Sequence, residues 1–156
     1  MADERERWAL ILGASSGFGE ATALALAADG YHIAGVHLDR RSGMAHVEEV
    51  RARIEALGRE AHFFNVNAAD DEQRGRVLAT LRERFDRSEA AGRHSYVRVL
   101  LHSLAFGTLK PFLAADAADA ISRKNMEMTL DVMAHSLVYW TQDLVHGGFI
   151  EAGSRI

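Results

Sequence analysis

Cysteine is absent from the 156 residues, which excludes disulfides, thiolate nucleophiles and cysteine-ligated zinc or iron–sulfur centres. Net positive charge is also lacking. A net charge of −4 offers no field for a nucleic-acid backbone. No run of Lys and Arg marks a membrane surface, and no apolar stretch approaches the roughly eighteen residues of a membrane span. The opening MADERERW is charged and leads into only a short apolar run, unlike a secretory signal. These absences predict a cytoplasmic chain of about one domain, ~150 residues being the usual unit. The only proline, Pro111, marks an irregular segment late in the sequence.

What is present alternates. Short apolar runs at 8–12 (WALIL), 31–38 (YHIAGVHL), 61–66 (AHFFNV) and 97–101 (VRVLL) read as buried strands. Between them lie helical patterns. Residues 20–28 are rich in Ala and Leu and stop at Asp29 and Gly30. Val47, Val50, Ile54 and Leu57 recur at helical spacing before Gly58, and Val77, Leu78, Leu81 and Phe85 share one side of a helix over 70–85. The polar stretch 86–95 (DRSEAAGRHS) reads as a loop, and one long helix is expected over 122–145. Along it, Met126, Leu130, Met133, Leu137, Trp140 and Leu144 make the stripe expected to be buried, with Met128, Val132 and Tyr139 giving a second, partly apolar face. Alternation of this kind predicts an α/β domain, a parallel sheet with right-handed crossovers and helices on both faces.

Between the first strand and the first helix stand Gly13, Gly17 and Gly19, with Ser15 and Ser16 among them. A turn needs one glycine; three suggest that something bulky and anionic approaches the backbone. A helix N-terminus presents unpaired N–H groups and the positive end of its dipole to such a group. Side chains at Gly13 or Gly17 would hold a pyrophosphate away, and one at Gly19 would crowd the helix against the sheet. The two serines add hydroxyl donors. The spacing is G-x-x-x-G-x-G rather than the better-known G-x-G-x-x-G.

GASSGFG at 13–19 resembles the cofactor loop of the short-chain dehydrogenase/reductase family. NVNAADDEQ at 65–73 resembles that family's third-strand segment, with Asn67 where an adenine-contacting Asp usually sits. LLHSLAFG at 100–107 stands in place of its Asn-Asn-Ala-Gly motif; with MEMTLDVMAHSL at 126–137 it is closer in wording to the enoyl-acyl-carrier-protein reductase branch. The resemblance implies a Rossmann-type doubly wound sheet of strand order 3-2-1-4 and an NAD(P)-dependent oxidoreductase. It implies that the cofactor meets Gly13, Ser15, Ser16, Gly17, Phe18 and Gly19 in the first loop. Asn67 and Ala68 would follow the third strand, and His102, Ser103 and Leu104 the fourth. It also implies a homodimer or homotetramer built on the helix over 122–145.

The pattern departs from the family in three places. Tyr31, Tyr96 and Tyr139 have no lysine at the family's catalytic spacings, which leads to the expectation that residues 1–156 are one cofactor-binding domain cut before a fifth strand, with the catalytic residues beyond Ile156. Met133 stands where the family has a helical Asn, which weighs against a ketoreductase. Cofactor choice is divided. Asp39 lies about 20 residues past the glycines, as a ribose-binding carboxylate should. Alignment by strand end puts His37 there instead, and Arg40 and Arg41 suit a 2′-phosphate, which tips the expectation to NADP(H). The competing class is a non-catalytic nucleotide-binding module complete as written. A methyltransferase using the same turn is a third reading, disfavoured by the two serines. No metal is expected. Glu127, Asp131 and His135 line up on one helix, but ligands from a second helix would be needed.

Overall fold

Four apolar runs pair as parallel strands: β1 (Arg5–Leu12), β2 (His32–His37), β3 (Ala61–Asn65) and β4 (His94–His102). Their order in the sheet is β3-β2-β1-β4, as the resemblance implies. The computed structural model describes residues 5–156, and the charged opening residues 1–4 lie outside the described residues. Helices α1 (Gly17–Ala28), α2 (Met44–Ala56) and α3 (Asp71–Ala90) connect the strands. Helices α4 (Arg123–Leu130) and α5 (Ser136–His146) follow β4.

Side chains alternate across β1, so each face has its own core. Trp8, Leu10 and Leu12 point to one side with Val77, Leu81 and Phe85 of α3 and Trp140 and Leu144 of α5. Ala9 and Ile11 point to the other with Ala23 and Ala27 of α1 and Val50 and Ile54 of α2. Each Leu, Ile or Val so enclosed contributes ~1.5–3 kcal/mol before entropy is counted. Leu57, expected in this core, is instead about half exposed at the end of α2, where the helix has already turned away at Gly58. The pairing of β1 with β4 slips between Trp8 and Ala9, leaving Arg98 as an extra residue. That bulge lets Val97 and Leu100 enter one core while Val99 and Leu101 pack on the other. On the far edge of β4, Arg155 bridges to Val99.

The polar stretch 86–95 is not a loop. Helix α3 runs on to Ala90 and β4 starts at His94. Ser88 and Ser95 are buried because both hydroxyls donate to Glu6 Oε2, at 2.5 and 2.6 Å. Arg84 Nη2 lies 3.1 Å from the same oxygen, and Arg93 Nε 2.9 Å from Glu6 Oε1. Arg84 also clasps Glu60 with two guanidinium nitrogens and lies over the Trp8 ring. These groups occupy the end of the sheet where β1 and β4 begin.

The network has a pH signature. Hydrogen bonding from Arg84, against the pull of burial and with help from His62, lowers the Glu60 carboxyl to about 2. Burial raises Glu6, but hydrogen bonds from Ser88 and Ser95 and the charges of Arg84 and Arg93 outweigh it, leaving it below its ordinary value. For both groups the unfolded chain takes up protons first as pH falls. Their stabilisation is therefore complete above their ordinary value of 4.5 and is lost towards pH 2. Urea midpoints followed from pH 6 to pH 3 should fall steeply, and Glu60→Gln should flatten the slope. An unchanged slope in that variant would mean that Glu60 is not linked to folding.

The single helix expected over 122–145 is two helices joined by a π turn, Asp131–His135. The expected stripe is also corrected. Trp140 and Leu144 are fully buried, but Met126, Leu130 and Met133 are each more than two-fifths exposed. The inward face is Met128, Val132, Ser136, Trp140 and Leu144, a spacing of four throughout. Steps of four drift by about 40° each on a regular helix, and a wider turn takes up part of that drift. Met126, Leu130 and Met133 thus join Val138 and Tyr139 on the outward side.

Candidate cofactor site

The carboxyl ends of all four strands open on one cavity of about 360 Å³. Gly13, Ser15 and Ser16 supply one wall, Val36, His37 and Leu38 the end of β2, and Val66, Asn67 and Ala68 the segment after β3. Ser103, Leu104, Ala105 and Phe106 follow β4, and Met128 and Val132 close the helical side. Eight of the residues expected at a cofactor site therefore come together: Gly13, Ser15, Ser16, His37, Asn67, Ala68, Ser103 and Leu104. Gly17, Phe18, Gly19, Asp39, Arg40, Arg41 and His102 stand outside the lining.

The glycines divide their work differently from the expectation. Gly13 has φ +90°, and a Cβ there would overlap the carbonyl of Ser103, so this glycine lets β1 and β4 converge. At Gly19 a Cβ would overlap the carbonyl of Gly13, so the helix closes on its own loop rather than on the sheet. Of the three, only Gly17, at φ +57°, faces open space. It begins α1, whose N-cap Ser16 makes no side-chain capping bond. The first-turn N–H groups, an uncommitted hydroxyl and the open space above Gly17 make a cradle suited to an oxyanion. Phe18 is almost fully exposed beside it.

The end of β2 is held by an exchange of hydrogen bonds. The Asp39 N–H donates to Asn65 Oδ1, and Asn65 Nδ2 donates back to the Asp39 carbonyl, both at 3.0 Å. A hydrogen bond with Ser15 lowers the Asp39 pKa, with a further contribution from His37, whose Nδ1 is 2.9 Å from Oδ2. The Asp39 carboxylate and the His37 ring thus form a pair at the end of β2. The Arg40 and Arg41 side chains are exposed, with no hydrogen bond or ion pair among the described residues. After β3, the Asn67 side chain turns back to accept from the Ala69 N–H at 3.0 Å, so its carbonyl oxygen shapes its own loop.

His102 ends β4 opposite Leu12, and the Ser103 N–H continues the ladder to the Leu12 carbonyl at 2.8 Å. The His102 Nε2 is 2.8 Å from Ser136 Oγ. Burial lowers its pKa, which favours the neutral ring. Sequence reasoning missed Met128, Val132 and Ser136. The strand-end rule that found Ser103 would also have named Val36, Leu38 and Val66. No local signal marks Ser136, whose place depends on the π turn.

A glycine cradle at the first crossover, with a cavity across the strand ends, is shared by many nucleotide-binding folds; the whole-chain pattern is more specific. The short chain dehydrogenase profile matches residues 7–147. This chain belongs to the short chain dehydrogenase family. No curated protein sequence matches it. Among solved structures, L-sorbose reductase from Gluconobacter frateurii, complexed with NADPH and L-sorbose, is 21% identical at TM-score 0.69, covering 93% of this chain and 49% of that one. A 3-oxoacyl-[acyl-carrier protein] reductase from Brucella melitensis in complex with NAD is 22% identical at TM-score 0.70, covering 97% and 51%. A doubly substituted short-chain dehydrogenase/reductase from Serratia marcescens is 16% identical at TM-score 0.73, covering 99% and 55%. The chain thus spans about half the length of the structures it matches. No helix among its described residues is long and apolar enough to cross a membrane.

Proposed function

We propose that this chain holds a nicotinamide dinucleotide along the strand-end cavity for an NAD(P)(H)-dependent oxidoreductase, with enoyl or keto thioesters as the substrate class. The carrying observation is the cradle at Gly17: a left-handed glycine in open space at the start of α1, beside Ser15 and Ser16. In that reading the pyrophosphate takes the first-turn N–H groups. The adenosine half lies towards His37, Asn67 and Ala68, and the nicotinamide half lies towards Ser103 and Leu104. The bound cofactor supplies the hydride donor or acceptor; the residues present bind and orient it. The wording of LLHSLAFG supports the enoyl-reductase branch. The outward apolar face of Met126, Leu130, Met133 and Val138 supports a homodimer or homotetramer, and the composition supports a cytoplasmic address.

The choice between the two dinucleotides turns on opposing groups. Asp39 carries negative charge towards the loop, while Arg40 and Arg41 have no anion to hold among the described residues. Arg40→Ala/Arg41→Ala should weaken NADPH far more than NADH, since each charge-assisted bond to a phosphate is worth about 1.5–3 kcal/mol. Equal losses would assign the ribose to Asp39 or His37. The parent test is calorimetric titration with NADH and NADPH, and failure of both to bind would refute the reading. Residues 1–156 lack both Tyr–Lys spacings of the family, so binding without NADPH oxidation is expected when crotonyl thioesters or simple ketones are added. Turnover would point to chemistry at His102, Ser103 or Tyr139.

A further inference from the structure

The π turn before α5 leaves a backbone group to be satisfied. The Ser136 N–H donates to the Asp131 carbonyl, one residue further back than in an α-helix. The Val132 carbonyl, which Ser136 would otherwise have served, accepts instead from the Ser136 hydroxyl at 2.7 Å. A hydroxyl has one proton. With that proton on Val132, the Ser136 oxygen is an acceptor for His102, an arrangement that requires the imidazole proton on Nε2. Ser136 is fully buried, so no water competes for these bonds.

This chain of bonds joins the two sides of the cavity. His102 is fixed in the ladder beside Ser103 and Leu104, and Val132 forms the facing wall. A second tie, from Trp140 Nε1 to the Ala68 carbonyl at 2.8 Å, pins the same helix to the segment after β3. The helix is therefore held at both ends of the crevice, and the His102 tie is the one beside β4.

We propose that His102 and Ser136 are positioning residues for the nicotinamide end of the site, fixing the π turn so that Val132 and Met128 stand at a set distance from Ser103 and Leu104. This rests on the dinucleotide reading above and assigns His102 a task other than touching the cofactor. The pair acts through Val132, and the adenosine end, held by β2 and β3, does not depend on it.

Comparing NADH with ADP-ribose, which lacks the nicotinamide, separates this role from a general structural one. Ser136→Ala should raise the Kd for NADH about tenfold, the weight of one hydrogen bond, and leave that for ADP-ribose within about twofold. His102→Gln, which keeps an N–H donor, should stay close to the parent, and His102→Leu should match Ser136→Ala. If Ser136→Ala does not fold, His102→Leu, at a half-buried position, carries the comparison. Nitrogen-15 NMR should show the parent ring with its proton on Nε2. Equal weakening of both ligands, unchanged NADH affinity, or an Nδ1 proton would overturn the proposal. A parent protein that binds ADP-ribose and NADH with these outcomes would leave the dinucleotide reading standing, whereas a parent that binds neither would remove both.

Discussion

Gly17→Val should abolish dinucleotide binding while the chain still folds, and Gly19→Val should prevent folding. The two positions are two residues apart in one loop, yet their surroundings are opposite. At Gly17 the new side chain meets no protein atom within 4 Å. Its cost to stability is the left-handed backbone at φ +57°, on the order of 1–2 kcal/mol and more for a β-branched residue. It fills the space that the proposed pyrophosphate needs, and a phosphate pushed off a helix N-terminus finds no equivalent donors elsewhere. At Gly19 the side chain overlaps the Gly13 carbonyl, a backbone group held by its own N–H to Val36. Overpacking against backbone costs more than the usual ~1–3 kcal/mol, since no rotamer relieves it. Circular dichroism with calorimetry decides the matter. A folded Gly17→Val that binds NADH as the parent does would reduce the opening glycines to a turn.

Arg84→Met should destabilise the domain by about 3–5 kcal/mol, the usual result of removing one partner from a buried charge network. Among the described residues, Arg84 is the only cation that touches both Glu6 and Glu60, and its side chain is 8% exposed. Without it, Glu6, 13% exposed, keeps Arg93 and two serines, while Glu60 keeps the His62 ring. The aliphatic part of Met replaces the packing on Trp8, so the measured loss is mainly electrostatic. Arg51→Ala serves as the contrast, because its pairs with Glu48 and Glu55 lie on the surface and are worth at most ~1 kcal/mol. A loss for Arg84→Met no larger than for Arg51→Ala in urea denaturation would show that the network is surface-like.

Periodicity read correctly wherever one face of an element is buried and the other is not. The buried positions Val47, Val50, Ile54, Val77, Leu81 and Phe85 follow from it, while the strands, whose two faces meet separate cores, were legible as short apolar runs. It failed where polar side chains are themselves the core. Glu6, Ser88 and Ser95 look like surface residues in sequence, because their burial depends on partners more than eighty positions away. It also failed across Asp131–His135, since a 3.6-residue period assumes an uninterrupted helix and a π turn resets the phase. At the site, strand ends and glycines were legible because position in an α/β sheet dictates them. The Ser136 link was not, because it requires knowing which carbonyl the wide turn sets free.

The central place of β1 bears on how the protein is made. Of the four strands β1 is made first, but it lies between β2 and β4. Its β2 side can close early; its other edge waits for residues 94–102. Glu6 waits for Ser88 and Ser95, which follow it by 82 and 89 residues. At common rates of synthesis that interval is roughly 4–18 s. During it, an apolar strand carries an open edge, the arrangement most prone to pairing with a neighbouring nascent chain. Arg5, Glu6 and Arg7 place three charges at the start of that strand. Charge on a strand edge disfavours edge-to-edge pairing, so residues that anchor the finished domain also oppose that contact.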